Sequence, residues 1–236
     1  MSFAPKGVNM FNGKTIGEAP QLSTTYAQYD DGANVFTNYW NFAGTSLPSG
    51  FSSLASGSTY SVNNGLTLSS PATSGDYIHV FTTSQYAPSI EESYVSSWTN
   101  INDGEYDIAY TTVETASGGD AGYQTAYRFD NNANDNRIVK DIAGTGTLIT
   151  SASFTLPSSF ILGGFWPATG NEGFQINYAN PLFGTDTAIT YANSNIDLFI
   201  GSSATATIST IITWLRTRAY PPNGVMPSVN FGLVGS

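Results

Sequence analysis

The segment Glu105-Tyr106-Asp107-Ile108-Ala109-Tyr110 alternates acidic or small residues with aromatic and aliphatic ones. In a β-strand alternate side chains share a face. Glu105 and Asp107 therefore project together, and Tyr106, Ile108 and Tyr110 project the other way. Two carboxylates on one face are the raw material of acid–base or nucleophilic chemistry. The plainer reading makes them the wet face of a strand whose aromatic side is core. Glu91 and Glu92 are adjacent, so they point to opposite faces and read as a solvated strand start rather than a joint site. His79 is the sole histidine and lies among Tyr77, Ile78, Val80 and Phe81, where a buried, hydrogen-bonded imidazole is expected. The chain has no cysteine, which excludes thiol catalysis, disulfides and Cys-ligated zinc.

Asp130, Asn132, Asn134 and Asp135 gather oxygen ligands in a short span. They lack the glycine and the terminal glutamate of an EF-hand loop, so the expected metal is none. No glycine-rich phosphate loop follows a strand and opens a helix, and no cofactor is expected. Trp166, in Gly163-Gly164-Phe165-Trp166-Pro167, reads as a loop residue that either stacks on a sugar ring or packs in the core. Arg216 and Arg218 share a face with Trp214, placed for ion pairs or stacking. The candidate ligand contacts are thus Glu105, Asp107 and Trp166, with no catalytic residue assigned.

Stepping along the chain, period-2 runs rich in aromatic and β-branched residues recur between Gly, Asn, Ser and Pro clusters. Strands are expected at 35–42, at 60–62 and 66–68 around an Asn63-Asn64-Gly65 hairpin turn, and at 77–81. Further strands are expected at 105–110, 123–129, 137–140, 174–178 and about 205–220. The last carries Ile208, Thr210, Ile212 and Trp214 on one face. Asp130–Asn136 reads as a polar loop. Helical periodicity is almost missing. Short strands at regular intervals predict an all-β, antiparallel two-sheet β-sandwich of jelly-roll type. The expected organisation is an N-terminal arm over 1–34, one domain over 35–220 and a tail over 221–236.

Charged residues make up 10% of the 236, aromatic residues 14%, and the formal net charge is −10. With seven Lys plus Arg, nucleic-acid binding is not expected. No run of about 18 apolar residues is present, so no membrane span is expected. Few charges imply few native ion pairs, and hence a fold that loses little when carboxylates are protonated in acid. None of the 20 asparagines lies in an Asn-X-Ser/Thr sequon.

Two stretches carry a family resemblance. One is YDDGANVFTNYWNFAGTSLPSGF, Tyr29–Phe51, followed by YSVNNGLTL, Tyr60–Leu68; the other is ITWLRTRAYPPNGVMPSVNFG, Ile212–Gly232. Both resemble the concanavalin-A-like (laminin-G/glucanase-type) jelly-roll domains found in archaeal surface and archaeal virus proteins. The resemblance implies a sandwich with one curved sheet on which relatives bind or cleave sugars. Glycosidases of this fold carry an E-x-D-x-E strand, with nucleophile first and acid/base last. Glu105 and Asp107 match its first two acids, but Ala109 stands at the acid/base position. The acidic residue that often precedes the closing tryptophan is replaced by Thr213.

These features lead to an expectation of no enzymatic activity. The expected role is a structural or attachment protein of an archaeal virus particle, located in the virion. Its expected partners are other virion subunits, copies of itself in a homo-oligomer, and host cell-surface glycans. The first fourteen residues, which lack an apolar export stretch, and the missing sequons favour this reading. The alternatives are an extracellular carbohydrate-binding module of a cell-surface protein and, less favoured, a glycoside hydrolase.

Overall fold

The computed structural model describes residues 36, 38–87, 89–112, 123–132, 135–166, 170–190, 193–202 and 205–218. These residues form fifteen strands, numbered in chain order, and one 3₁₀ turn, Ile101–Asp103, with no α-helix among them. All strand pairing is antiparallel apart from one isolated bridge. The eight-stranded sheet runs β13 (Ala179–Thr185), β12 (Asn171–Ile176), β11 (Phe160–Phe165), β6 (Ile90–Thr99), β15 (Ile208–Arg218), β4 (Leu66–Ser70) and β3 (Thr59–Val62). β1 (Asn38–Trp40) also pairs with β15. The seven-stranded sheet runs β10 (Thr145–Ser153), β9 (Asp135–Ile142), β8 (Thr125–Asn132), β7 (Glu105–Thr111), β14 (Asn195–Gly201), β5 (Tyr77–Thr82) and β2 (Phe51–Ser56). The expected arm and tail lie outside the described residues.

The core fills the space between the two inner faces. Tyr106, Ile108 and Tyr110 of β7 and Ile196, Leu198 and Ile200 of β14 meet Val95, Leu162, Ile212 and Leu215 of the opposing sheet. Alternation explains this directly, since each set is every second residue of its strand. Two tyrosine hydroxyls bridge the layers: Ser93 Oγ lies 2.8 Å from the Tyr106 hydroxyl, and the Tyr110 hydroxyl accepts from Glu91 N–H at 3.0 Å and donates to Gly164 O. Gly164 of β11 allows the sheets to close, because a Cβ there would stand 2.5 Å from Phe129 Cδ2.

Several elements differ from the expectation. The 35–42 strand is described only as β1, three residues long. Most of the expected 130–136 loop is strand: β8 continues to Asn132 and β9 begins at Asp135, with Asp130, Asn131 and Asn136 buried, while 133–134 lie outside the described residues. The β8–β9 ladder pairs Asn131 with Asn136 and Asn132 with Asp135, and Arg137 salt-bridges Asp130 across it. Trp214 does not share the core face with Ile208 and Ile212. Register shifts between Ile211 and Trp214 turn it to the outer face against Tyr39 and Tyr94 and bring Leu215 into the core. Glu91 and Glu92 do point opposite ways, but neither is solvated. Burial, with a smaller contribution from the Asp197 charge, pushes the Glu91 carboxyl well above the usual carboxylate range.

Candidate functional site

The register of β7, β8 and β9 assembles a charged cluster on the outer face of the seven-stranded sheet. Asp107 stands opposite Asp130, Ala109 opposite Arg128, and Asp130 opposite Arg137. Like charges directly across a ladder repel, so the Asp107–Asp130 pair needs cations. Arg128 Nη1 lies 2.7 Å from Glu105 Oε1, 2.9 Å from Asp107 Oδ2 and 3.8 Å from Asp130 Oδ2. Arg137 Nε bonds Asp130 Oδ1 at 2.7 Å, and its Nη2 lies 3.3 Å from Glu105 Oε1. Burial would lower the Arg137 pKa, but its bonds and charge contacts to Asp130, with Glu105 and Asp107, raise it instead.

Next along the sheet, β14 places Asp197 directly beside Ala109. His79 on β5 bonds Asp197 Oδ2 through Nδ1 at 2.7 Å, and both side chains are fully buried. The imidazole is enclosed by Tyr77 at 5.5 Å, Tyr123 at 5.4 Å and Phe199 at 4.6 Å between ring centroids. Tyr123 also faces the Arg128 guanidinium at 5.5 Å. This half of the face is closed to water. The other half opens at Glu105, whose side chain is 14% exposed, and at Arg137, 26% exposed.

Of the expected contacts, the structure brings Glu105 and Asp107 together and leaves Trp166 apart. Trp166 follows β11 directly, its N–H donating to Ser89 O, and is buried in the core 5.2 Å from Tyr110. Its indole presents no stacking surface. Glu105 and Asp107 are not a wet strand face, since Asp107 is fully buried and both are salt-bridged. Arg128, Arg137 and Asp197 were missed, and Asp130 was weighed only as a metal ligand in a polar loop. Three carboxylates, Glu105, Asp107 and Asp130, offer oxygens within 4.8 Å of one another. Two guanidinium groups already supply the positive charge there, so the donor set suits a salt-bridge network better than a cation.

The outer face of the other sheet holds a second network. Glu92 receives Arg216 Nε at 2.7 Å and Arg218 Nη2 at 2.6 Å. Burial would raise its pKa, but the two guanidinium groups together reverse this and leave it lowered. Arg216 also lies over the Phe36 and Trp214 rings, at 4.2 and 4.6 Å. Four ion-paired carboxylates, Asp107, Asp130, Asp197 and Glu92, have no exposed side chain, so the inference of acid tolerance loses its premise.

No protein-family model matches the chain, and no curated protein matches its sequence. Solved structures do match. The β-glucanase of Bacillus licheniformis superposes with a TM-score of 0.57 at 11% identity, covering 76% of this chain and 96% of its own. A variant of LamA from Zobellia galactanivorans, in complex with laminaritriose and laminaritetraose, gives 0.57 at 9% identity, covering 77% and 99%. The carbohydrate-binding module CBM66 from Bacillus subtilis gives 0.52 at 10% identity, covering 70% and 94%. The fold is a concanavalin-A-like jelly roll.

These neighbours correct two expectations. They are mostly glycoside hydrolases, so exclusion of enzymatic activity does not stand. It rested on counting carboxylates along one strand, whereas the sheet sets Asp130 and Asp197 from other strands beside Asp107 and Ala109. The archaeal and viral assignment finds no support, since none of these three neighbours is described as either.

Proposed function

We propose that the protein is carbohydrate-directed and binds a glycan at the open end of the charged face, around Glu105 and Arg137. The observation that carries this reading is the joint presentation of a carboxylate and a guanidinium 3.3 Å apart at a partly exposed edge of an otherwise sealed network. Such a pair matches vicinal sugar hydroxyls, with the carboxylate accepting and the guanidinium donating. Arg128 and Asp130 fix both side chains from beneath, so little rotamer entropy is lost on binding. The fold's use by β-glucanases and a carbohydrate-binding module supports the substrate class. Attachment to host-surface glycans would be one use of such a site, and the comparisons give it no separate support.

Glycoside cleavage at the same face is a second reading, favoured by Asp197 beside Ala109. A retaining pair needs carboxyl groups about 5–5.5 Å apart on either side of the bond. Asp197 lies in the half closed by Tyr123, so cleavage requires that ring to move and binding does not. Affinity electrophoresis against β-glucans and other polysaccharides, with calorimetry on laminaritetraose, tests the proposal. Saturable binding weakened at least about tenfold by Glu105→Gln is expected. No binding, or binding indifferent to that change, overturns it. Release of reducing sugar that Asp197→Asn abolishes would establish the second reading.

A further inference from the structure

The side of the sandwich formed by β10 and β13 is unlike the rest of the surface. Residues 142–171 are thirty consecutive positions without a charged side chain, in a chain of net charge −10. β10 lies at their start and, among the described residues, is an edge strand paired only with β9. Most of its nine residues are exposed and the remainder half-buried. Five large hydrophobic side chains are exposed among the described residues, and four lie on or next to β9, β10 and β13. Ile142 ends β9, Leu148 lies on β10, Phe154 follows it, and Phe183 lies on β13. β13 abuts β10 closely enough that a Cβ on Gly184 would stand 2.5 Å from Ile149 Cγ2.

An unpaired edge is a template for another strand, and proteins blunt such edges with charge, proline, bulges or short length. The other edges show these devices or less reach. β3 has four residues, β13 contains Pro181, and β2 has six residues, largely half-buried. β10 has neither charge nor proline; its one device is a register irregularity between Leu148 and Thr150. At about 3.4 Å per residue it offers a ladder roughly 30 Å long.

We infer that β10 is a self-association edge, on which a second copy of this chain adds its own β10 antiparallel across a two-fold axis. The sequence Thr-Gly-Thr-Leu-Ile-Thr-Ser-Ala-Ser is compatible with itself in that register. With Ile149 on the axis, Thr145 meets Ser153, Thr147 meets Ser151 and Leu148 meets Thr150, and no like charges oppose. A strongly acidic chain can approach itself only where its surface is uncharged, and this edge meets that condition. Two-fold pairing is isologous and closes at a dimer, joining two seven-stranded sheets into one. The exposed Leu148 and Phe154 gain apolar contact in the process.

Sedimentation equilibrium of the full chain from about 1 to 300 µM tests the inference. A reversible monomer–dimer equilibrium is expected. The double substitution Thr147→Lys/Ser151→Lys, at two exposed positions, sets lysines against each other across the axis. It is expected to weaken the dimer at least about 100-fold while the circular dichroism spectrum is kept. Thr147→Val/Ser151→Val is expected to retain the dimer. Should the lysine variant not fold, amide exchange of the wild type decides: protection of residues 145–153 must rise with protein concentration. A monomer at every concentration, a dimer that survives the lysines, or exchange independent of concentration overturns the inference.

Discussion

Replacing Glu172 by glutamine should change how stability depends on pH. Glu172 is on β12 with its side chain directed between the sheets, and it has no exposed surface. Its Oε2 accepts the Asp186 N–H at 3.1 Å, while Oε1 has no hydrogen-bond partner. Asp186 is held by Lys140 Nζ at 2.6 Å and by the Tyr127 hydroxyl at 3.0 Å. Burial, with the Asp186 charge adding to it against the favourable hydrogen bonds, pushes the Glu172 carboxyl up to about 7 from an ordinary 4.5. A raised folded-state pKa means that the folded protein prefers the protonated acid. Stability from this group is therefore complete below about pH 4.5, declines as pH rises towards 7, and is lost above that. The full shift corresponds to about 3 kcal/mol, reduced to about 2 kcal/mol by water reaching the rim of the cluster at Lys140 and Asp186. Glutamine is neutral at every pH and nearly isosteric. In urea unfolding at pH 5, 6, 7 and 8, Glu172→Gln should match the wild type within about 1 kcal/mol at pH 5 and exceed it by about 2 kcal/mol at pH 8. Taking the difference between the two proteins cancels the other titrating groups. A difference that stays constant within about 0.5 kcal/mol from pH 5 to 8 refutes the reasoning.

Three further outcomes follow from the same physics. Arg128→Met leaves Asp107 and Asp130 buried with one cation fewer and should cost about 3–5 kcal/mol in urea unfolding; a loss under about 1 kcal/mol would mean the network is not what holds β7 to β8. Trp166→Ala should cost about 3–5 kcal/mol while leaving glycan affinity unchanged, because the ring is core; an affinity loss with little destabilisation would restore its ligand role. Glu92 has a lowered folded-state pKa, so its contribution is present above about pH 4.5 and lost as pH falls through the folded value; a double substitution Arg216→Met/Arg218→Met should flatten the acid limb of a pH-stability curve, and an unchanged limb contradicts it.

Much of the fold was legible because alternation is a local property. Tyr106, Ile108 and Tyr110 declare their face without reference to any other strand, and Asn63-Asn64-Gly65 declares its turn, with Asn64 at φ 52°. Trp214 was misplaced because register shifts in β15 arise from pairing with β6, which no one-strand pattern contains. The site was half legible for the same reason. Glu105 and Asp107 lie two residues apart, whereas Arg128, Arg137 and Asp197 reach them only through the order β9-β8-β7-β14. Asp130 looked like a loop residue because its salt-bridge partners are supplied by that pairing. β10 went unnoticed because its Thr- and Ser-rich sequence has no clear apolar alternation.

The most direct test of the glycan site is an NMR titration of the full chain with laminaritetraose, following backbone amide shifts. The account predicts saturable changes concentrated at Glu105, Asp130 and Arg137, with little change at Glu92, Trp214 and Arg216 on the opposite outer face. No saturable change, or changes centred on the Glu92–Trp214 face, would contradict it.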